Sequence, residues 1–260
     1  DFTTSYTRHF TSKALGRYDL REVRNATAVL AATNPSELAD IVAVLEWLTL
    51  SRSDITDAGG NRSDLAQRLD HRFRELGWRE GRHDITIKSV LTLMPYREGG
   101  EAHAIVRGTE VVSEGYKVDN VKGRVALDVE WNAKDGNLDR DLGAYRALYD
   151  AGIIDAGVII TRSQNDLREL VLRHDAASTK FNTTTTTYLD KLIPRLERGA
   201  GGGCPVLAVA ITARCLSRSH FTGEATPSPC SKPEPKRTEP TPDVLKTVCA
   251  CPYLTRAMQP

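Results

Sequence analysis

The first 203 residues hold no cysteine, and the five that follow, Cys204, Cys215, Cys230, Cys249 and Cys251, form no Cys-x-x-Cys pair. That pattern gives neither a zinc ribbon nor a disulfide framework, so reduced thiols are expected. No apolar run approaches the roughly 18 residues of a membrane-spanning helix, and the N-terminal residues carry no basic-then-apolar signal pattern. A soluble, cytoplasmic protein without a membrane partner is the expectation. Excess charge of one sign is missing too. Lys and Arg number 35 against 34 Asp and Glu, which excludes recruitment of a polyanion by bulk charge and leaves only a local patch for nucleic acid. The Gly199 to Gly203 loop lacks the Gly-Lys-Ser/Thr of a phosphate-binding loop and reads as a helix-to-strand connection. The six histidines show no metal-ligand spacing, and His71 and His83 read as surface residues.

What is present is enough for one substantial core: 260 residues, 40% hydrophobic and 27% charged. Leu20 to Ala32 is rich in helix formers, and Pro35-Ser36-Glu37 opens a second helical segment with Leu38, Ile41, Val42, Val44, Leu45 and Leu48 at helical spacing. After a Gly59-Gly60-Asn61 loop, a third helix is expected from Ser63 to Leu76, stopped by Gly77. Strand patterns follow over Asp84 to Met94, Glu101 to Val112 and Lys117 to Trp131, the last folded on itself at Lys122-Gly123. A helix over Leu138 to Asp150 and a buried strand over Ala156 to Thr161 complete a crossover with parallel strands. A second unit repeats this less clearly: helix Leu167 to His174, a polar stretch Ala176 to Thr187 with five consecutive threonines, helix Leu189 to Glu197 and strand Val206 to Thr212. Residues 1–216 read as one folded domain with a helical N-terminal part, and 217–260 as a Pro- and Ser-rich, mobile tail.

The most informative run is Ala126-Leu127-Asp128-Val129-Glu130-Trp131. Side chains alternate along a strand, so Ala126, Asp128 and Glu130 share one face while Val125, Leu127, Val129 and Trp131 form an apolar face. Asp119 lies nine residues upstream of Asp128, across the turn. Carboxylates held this close repel, and the usual remedies are a bound cation, a cationic partner or a shared proton. Converging acids suit divalent-metal chemistry on phosphodiesters; acids on a solvated strand face are the plain alternative.

The run Val118-Asp119-Asn120-Val121-Lys122-Gly123-Arg124-Val125-Ala126-Leu127-Asp128-Val129-Glu130-Trp131 resembles the catalytic hairpin of PD-(D/E)xK nucleases, and within them the BglII-like and BstYI-like type II restriction endonucleases. The resemblance covers Lys117 to Arg162 and more loosely Lys180 to Thr212. It implies an α/β fold with a restriction-endonuclease-like core, a mixed central sheet flanked by helices. It further implies a Mg²⁺-dependent, homodimeric endonuclease acting on double-stranded DNA at a short palindrome with a GATC core and leaving 5′-phosphates. By position, Asp119 and Asp128 are the metal-binding acids, with the Val129 carbonyl as a further ligand. Glu130 stands where the general superfamily has lysine, a departure shared with BglII and BamHI relatives that leaves the general base open.

The resemblance also places Asn182, Thr183, Thr184 and Thr185 in a base-reading loop, with a plain linker as the alternative. Asn132 and Lys134, in the loop after the acids, have side chains that pair with adenine and guanine, although Asn-x-x-Asp-Gly also describes an ordinary turn. Arg195 and Arg198 are candidate phosphate contacts, or cations that complement a helix terminus. Glu75, on the preceding helix, is a minor candidate for a fourth acid. The rival readings are a structure-specific or repair nuclease of the same fold, and a DNA-binding module with vestigial acids.

Overall fold

The computed structural model describes residues 1–56, 63–182 and 184–216. A two-residue strand β1 (Phe2–Thr3) and the short helices α1 (Tyr6–His9) and α2 (Ser12–Arg17) precede β2 (Tyr18–Val23), then α3 (Ala26–Thr33), α4 (Pro35–Trp47), α5 (Arg52–Thr56) and α6 (Asp64–Glu75). Two long strands, β3 (Arg79–Leu93) and β4 (Ile105–Lys122), lead to β5 (Val125–Val129), α7 (Gly136–Asp150), β6 (Ala156–Arg162), α8 (Gln164–His174), α9 (Leu189–Glu197) and β7 (Val206–Ile211). The seven strands form one mixed sheet in the order β1-β2-β7-β6-β5-β4-β3. Strands β5, β6 and β7 run parallel, and the remaining neighbours pair antiparallel.

The parallel strands sit in the middle because they are apolar apart from Asp128, Thr161 and Arg162. All residues of β6 and β7 are buried, as strands covered on both faces require. On one face, Val125, Leu127, Val129, Val158, Ile160, Leu207, Val209 and Ile211 pack with the apolar sides of α3, α4, α6 and α8. On the other, Ala126, Ile159, Ala208 and Ala210 pack with Leu138, Leu142, Tyr145 and Leu148 of α7 and Leu189, Leu192 and Leu196 of α9. The second face carries small residues so that α7 can approach. A Cβ on Gly157 would stand 2.2 Å from the Tyr145 ring, whose hydroxyl donates to the Val158 carbonyl at 2.7 Å.

Helix α6 ends as its sequence dictates. Gly77 takes φ of +93°, its N–H bonds the Arg74 carbonyl and the Trp78 N–H bonds the Phe73 carbonyl, the paired bonds of a Schellman motif. The hydrophobic contact that accompanies the motif is Phe73 against Trp78, edge to face at 5.3 Å. The chain thus leaves α6 pointed into β3.

Two expectations need correction. Leu20 to Ala32 is not one helix: Tyr18–Val23 is strand β2, and only Ala26–Thr33 is helical. Antiparallel pairing with β7 overrides helix propensity there, and alternate burial of Tyr18, Leu20 and Glu22 follows. The break falls at Arg24 and Asn25, both at positive φ. The strands expected over Glu101 to Val112 and from Lys117 onward are one continuous strand, β4, because β3 pairs along nearly its whole length. The Gly59-Gly60-Asn61 loop, Thr183 and the tail from 217 lie outside the described residues. Cys204 and Cys215 are buried free thiols. No described helix is long and apolar enough to cross a membrane.

Candidate active site

The hairpin β4–β5 builds the site. Gly123, at φ of +52°, makes the turn, and pairing of Val121 with Ala126 and Asn120 with Leu127 carries the register on to set Asp119 opposite Asp128. Residues directly opposite across an antiparallel pair share a face. The Asp119 N–H donates to Asp128 Oδ1 at 2.9 Å, and the Val129 backbone N–H bonds toward the Asp119 carboxylate. Glu130, just past β5, is tied to the sheet by its N–H to the Ile160 carbonyl at 2.7 Å. All three acids therefore face α7, on the side of the sheet that the alternation predicted.

Helix α7 adds a fourth acid. Asp141 is fully buried beneath its helix and faces Glu130. Among the described residues no amide, hydroxyl or cation donates to Glu130 Oε2, Asp141 Oδ2 or Asp128 Oδ2: through these oxygens the Glu130 and Asp141 carboxyls reach only each other, and the Tyr145 hydroxyl, within reach of Asp128, commits its proton to Val158. Arg140 bonds Asp141 Oδ1 at 2.8 Å and reaches Glu130 Oε1 at 3.6 Å, while Asn137 Nδ2 donates to Glu130 at 3.3 Å. One guanidinium and one amide against four carboxyls leave an excess of negative charge. Burial, the charge of Asp141, a hydrogen bond shared with Asp141 and the charge of Asp128 push the Glu130 carboxyl up to about 9, Arg140 opposing. Burial, then Asp141 and Asp119, raise Asp128 well above the carboxylate range. Burial raises Asp119 and Asp141 as well. At neutral pH the metal-free cluster thus holds protons, Glu130 and Asp141 sharing one.

Sequence reading missed Asp141, yet a signal was there. Leu138, Asp141, Leu142 and Tyr145 occupy i, i+3, i+4 and i+7, so the aspartate sits inside the apolar stripe. Glu75 does not join the cluster; it pairs with Arg72 and His71 on its own helix. A different α6 acid, Asp70, accepts from Asn120 Nδ2 at 2.9 Å, one residue from Asp119.

The loop after the acids and the threonine run, 50 residues apart, meet. Lys134 bridges Thr186, the Asp135 N–H bonds the Thr185 carbonyl at 3.0 Å, and the Thr187 N–H bonds the Ala133 carbonyl at 2.9 Å. Thr161 and Thr187 hydroxyls both donate to the Glu130 carbonyl at 2.9 Å. Arg162, buried and without a carboxylate partner among the described residues, binds the Trp131 carbonyl, Gln164 and the Thr186 hydroxyl and stacks 4.7 Å from the centre of the Phe181 ring. Burial lowers its pKa to about 10, so it stays charged at neutral pH. Thr186 and Thr187 are therefore structural, while Asn182, Thr184, Thr185 and Lys134 are exposed beside the acids' loop.

The family model for restriction endonuclease BglII/BglIII matches residues 18–211, well over half of the chain. The chain belongs to the BglII restriction endonuclease family. No curated protein matches it. The BglII-family match begins at Tyr18, so β2 and helices α3 to α6 lie within it and not only the hairpin. The protein is accordingly a restriction-type DNA endonuclease with the α/β, mixed-sheet fold of that family.

Type II restriction endonucleases generally use a divalent metal ion. Among the described residues no three His, Cys, Asp or Glu side chains stand ready as a metal site. The chemistry of the donors nevertheless fits: Asp128 Oδ2 and Glu130 Oε2 are hard oxygens, buried and undonated. Of the candidate phosphate contacts, Arg195 is committed, its guanidinium bidentate to Asp139 at 2.8 Å and also bonded to the Lys191 carbonyl. Arg198 is exposed at the end of α9, with Nε on the Pro194 carbonyl at 3.1 Å.

Proposed function

We propose that this endonuclease cuts duplex DNA as a Mg²⁺-dependent homodimer at a palindrome of about six base pairs with a GATC core, each chain hydrolysing one strand. The observation that carries the reading is the opposed pair Asp119 and Asp128, with Glu130 on the same face and undonated carboxyl oxygens, in a chain of the BglII family. Asp119, Asp128 and the Val129 carbonyl would hold the ion, which supplies charge neutralisation at the scissile phosphate and a more acidic water. Glu130 orients that water and takes its proton once its own has been displaced. In-line attack leaves a 5′-phosphate and a 3′-hydroxyl.

The two loops joined at Lys134 and Thr186 form the surface beside this centre, and Asn132, Lys134, Asn182, Thr183, Thr184 and Thr185 are its proposed DNA contacts, with Arg198 on phosphate. Arg195 acts through Asp139, holding the start of α7 against α9. Base-edge contacts discriminate by about 1–3 kcal/mol each, whereas phosphate contacts act on all sequences alike. Alanine at Asn182 or Thr184 is expected to erode preference for the cognate duplex over single mismatches while nonspecific affinity at matched salt stays constant.

Digestion of a sequenced plasmid with run-off mapping tests the whole reading. Discrete fragments with four-base 5′ overhangs at GATC-containing sites are expected. A discrete site without GATC overturns the target alone; no Mg²⁺-dependent cutting on any duplex overturns the function.

A further inference from the structure

Among the described residues, Arg140 is the cation that touches the acids. Its guanidinium bonds Asp141 Oδ1 through Nε at 3.0 Å and through Nη2 at 2.8 Å, and Nη2 reaches Glu130 Oε1 at 3.6 Å. Its charge also acts on Asp119 and Asp128. Helical spacing sets this up, because Asn137, Arg140 and Asp141 stand at i, i+3 and i+4 of α7 and so share the side that meets Glu130. The third guanidinium nitrogen, Nη1, has no partner among the described residues.

Exposure separates this arginine from a plain counter-ion. Asp128, Glu130 and Asp141 are buried, whereas the Arg140 side chain is 47% exposed. A phosphate that comes from solvent to the buried oxygens therefore meets a cation with N–H groups to spare. A guanidinium is a rigid fork suited to two phosphate oxygens at once, and the double bond to one oxygen of Asp141 fixes its plane. Neighbouring cations are spent elsewhere: Arg195 on Asp139, Lys191 on Asp135 at 2.9 Å and on the Thr184 carbonyl, Arg162 on the Trp131 carbonyl.

Charge shows what such a cation is for. Four carboxylates around one divalent ion leave two negative charges uncompensated, and the phosphodiester brings a third. Hydrolysis then moves more charge onto the two non-bridging oxygens. The bond from the water oxygen to phosphorus forms as the bond from phosphorus to O3′ breaks, the water proton passes to Glu130, and O3′ takes one from solvent. A cation fixed beside those oxygens binds more strongly in the transition state than in the ground state, which is the condition for accelerating the step.

We infer that Arg140 is a further catalytic residue, its guanidinium held in plane by Asp141 and binding the scissile phosphate through Nη1. The inference rests on the hydrolytic centre of the proposed function and supplies that centre with its second positive charge.

The test compares wild type with Arg140→Ala and Arg140→Gln in the full chain, once plasmid digestion has mapped the cut. Single-turnover cleavage at saturating enzyme should slow by about 10²–10³-fold in both variants. Guanidinium chloride, well below denaturing concentration, should restore Arg140→Ala by about tenfold or more and saturate, while potassium chloride at equal ionic strength does not. Binding in EDTA reads the contact without cleavage, on duplexes with either the natural phosphate or a neutral methylphosphonate at the mapped position. The affinity ratio of phosphate to methylphosphonate should be about tenfold or more larger in wild type than in either variant. Gln keeps a donor for Asp141, so it carries both measurements if the alanine variant does not fold. Variant rates within about threefold of wild type overturn the inference. So does slow cleavage with an unchanged affinity ratio and no rescue, which would make Arg140 a counter-ion of the acids and nothing more. A wild type that never cuts overturns the proposed function and this inference together, whereas a cutting wild type with equally fast variants removes the arginine alone.

Discussion

Asp128→Asn is expected to slow cleavage by about 10³-fold or more while duplex affinity without metal stays within about tenfold, because the lost charge acts on the transition state and not on bound DNA. Asparagine keeps an oxygen to accept the Asp119 N–H and removes a buried acid whose second oxygen has no donor. Its folded pKa is raised, so at neutral pH the native acid opposes folding. The variant should therefore melt at the same temperature as wild type or higher. Single-turnover cleavage, filter binding in EDTA and a thermal melt read the three quantities. Retained Mg²⁺-dependent cleavage removes Asp128 from the centre, and lost activity with a collapsed melt would mean that the side chain is structural. Glu130→Gln should fall between, with partial activity, since an amide keeps the water-orienting oxygen but takes no proton. Wild-type rates there would make it a bystander.

The legible part of the site was local. Nine residues, a Lys-Gly turn and strict alternation fix Asp119 against Asp128 and turn Glu130 to the same side, because hairpin register follows from turn geometry and side-chain period. The crossover from β5 through α7 to β6 was legible for the same reason, the apolar pattern changing period at its boundaries. What escaped needed distant partners. Tyr18–Val23 becomes a strand by pairing with β7 nearly 190 residues away, and its Glu22 is buried because the Ser5 and Thr27 N–H groups receive it. The threonine run has no propensity signal; Thr187 is buried and Thr184 exposed only because Ala133 and Glu130 lie opposite. Asp141 was written in the α7 periodicity but went unread, because its position in the apolar stripe means burial only once α7 has a surface to settle on. Its burial depends on small residues such as Ala126 and Gly157 that let α7 settle on the sheet.

The buried acids make a second large effect: metal-free stability should fall as pH rises, and Mg²⁺ should restore it. Glu130 titrates near 9 in the fold against an ordinary 4.5. A group whose folded pKa is raised contributes stability that is fully present below its unfolded pKa and is lost as pH climbs through the folded one. The loss therefore spans about pH 5 to 9, with Asp128, Asp119 and Asp141 acting in the same direction. Carboxyls held low, such as Glu22 with its hydrogen bonds from Thr27 and Ser5, lose their contribution only in acid below that window. A cation held by Asp119 and Asp128 must displace the protons of the cluster, so Mg²⁺ affinity should rise with pH, by up to about tenfold per pH unit for each proton released. Asp141→Asn removes a charge and a proton-sharing bond that raise Glu130, and so should flatten both profiles. Calorimetric melts in EDTA from pH 5 to 9, with Mg²⁺ titrations in buffers of different ionisation enthalpy to count released protons, measure each term. A melting temperature that climbs across the window, or an affinity indifferent to pH in wild type, would show that these carboxyls are already ionised without metal and would overturn the protonated, metal-free cluster.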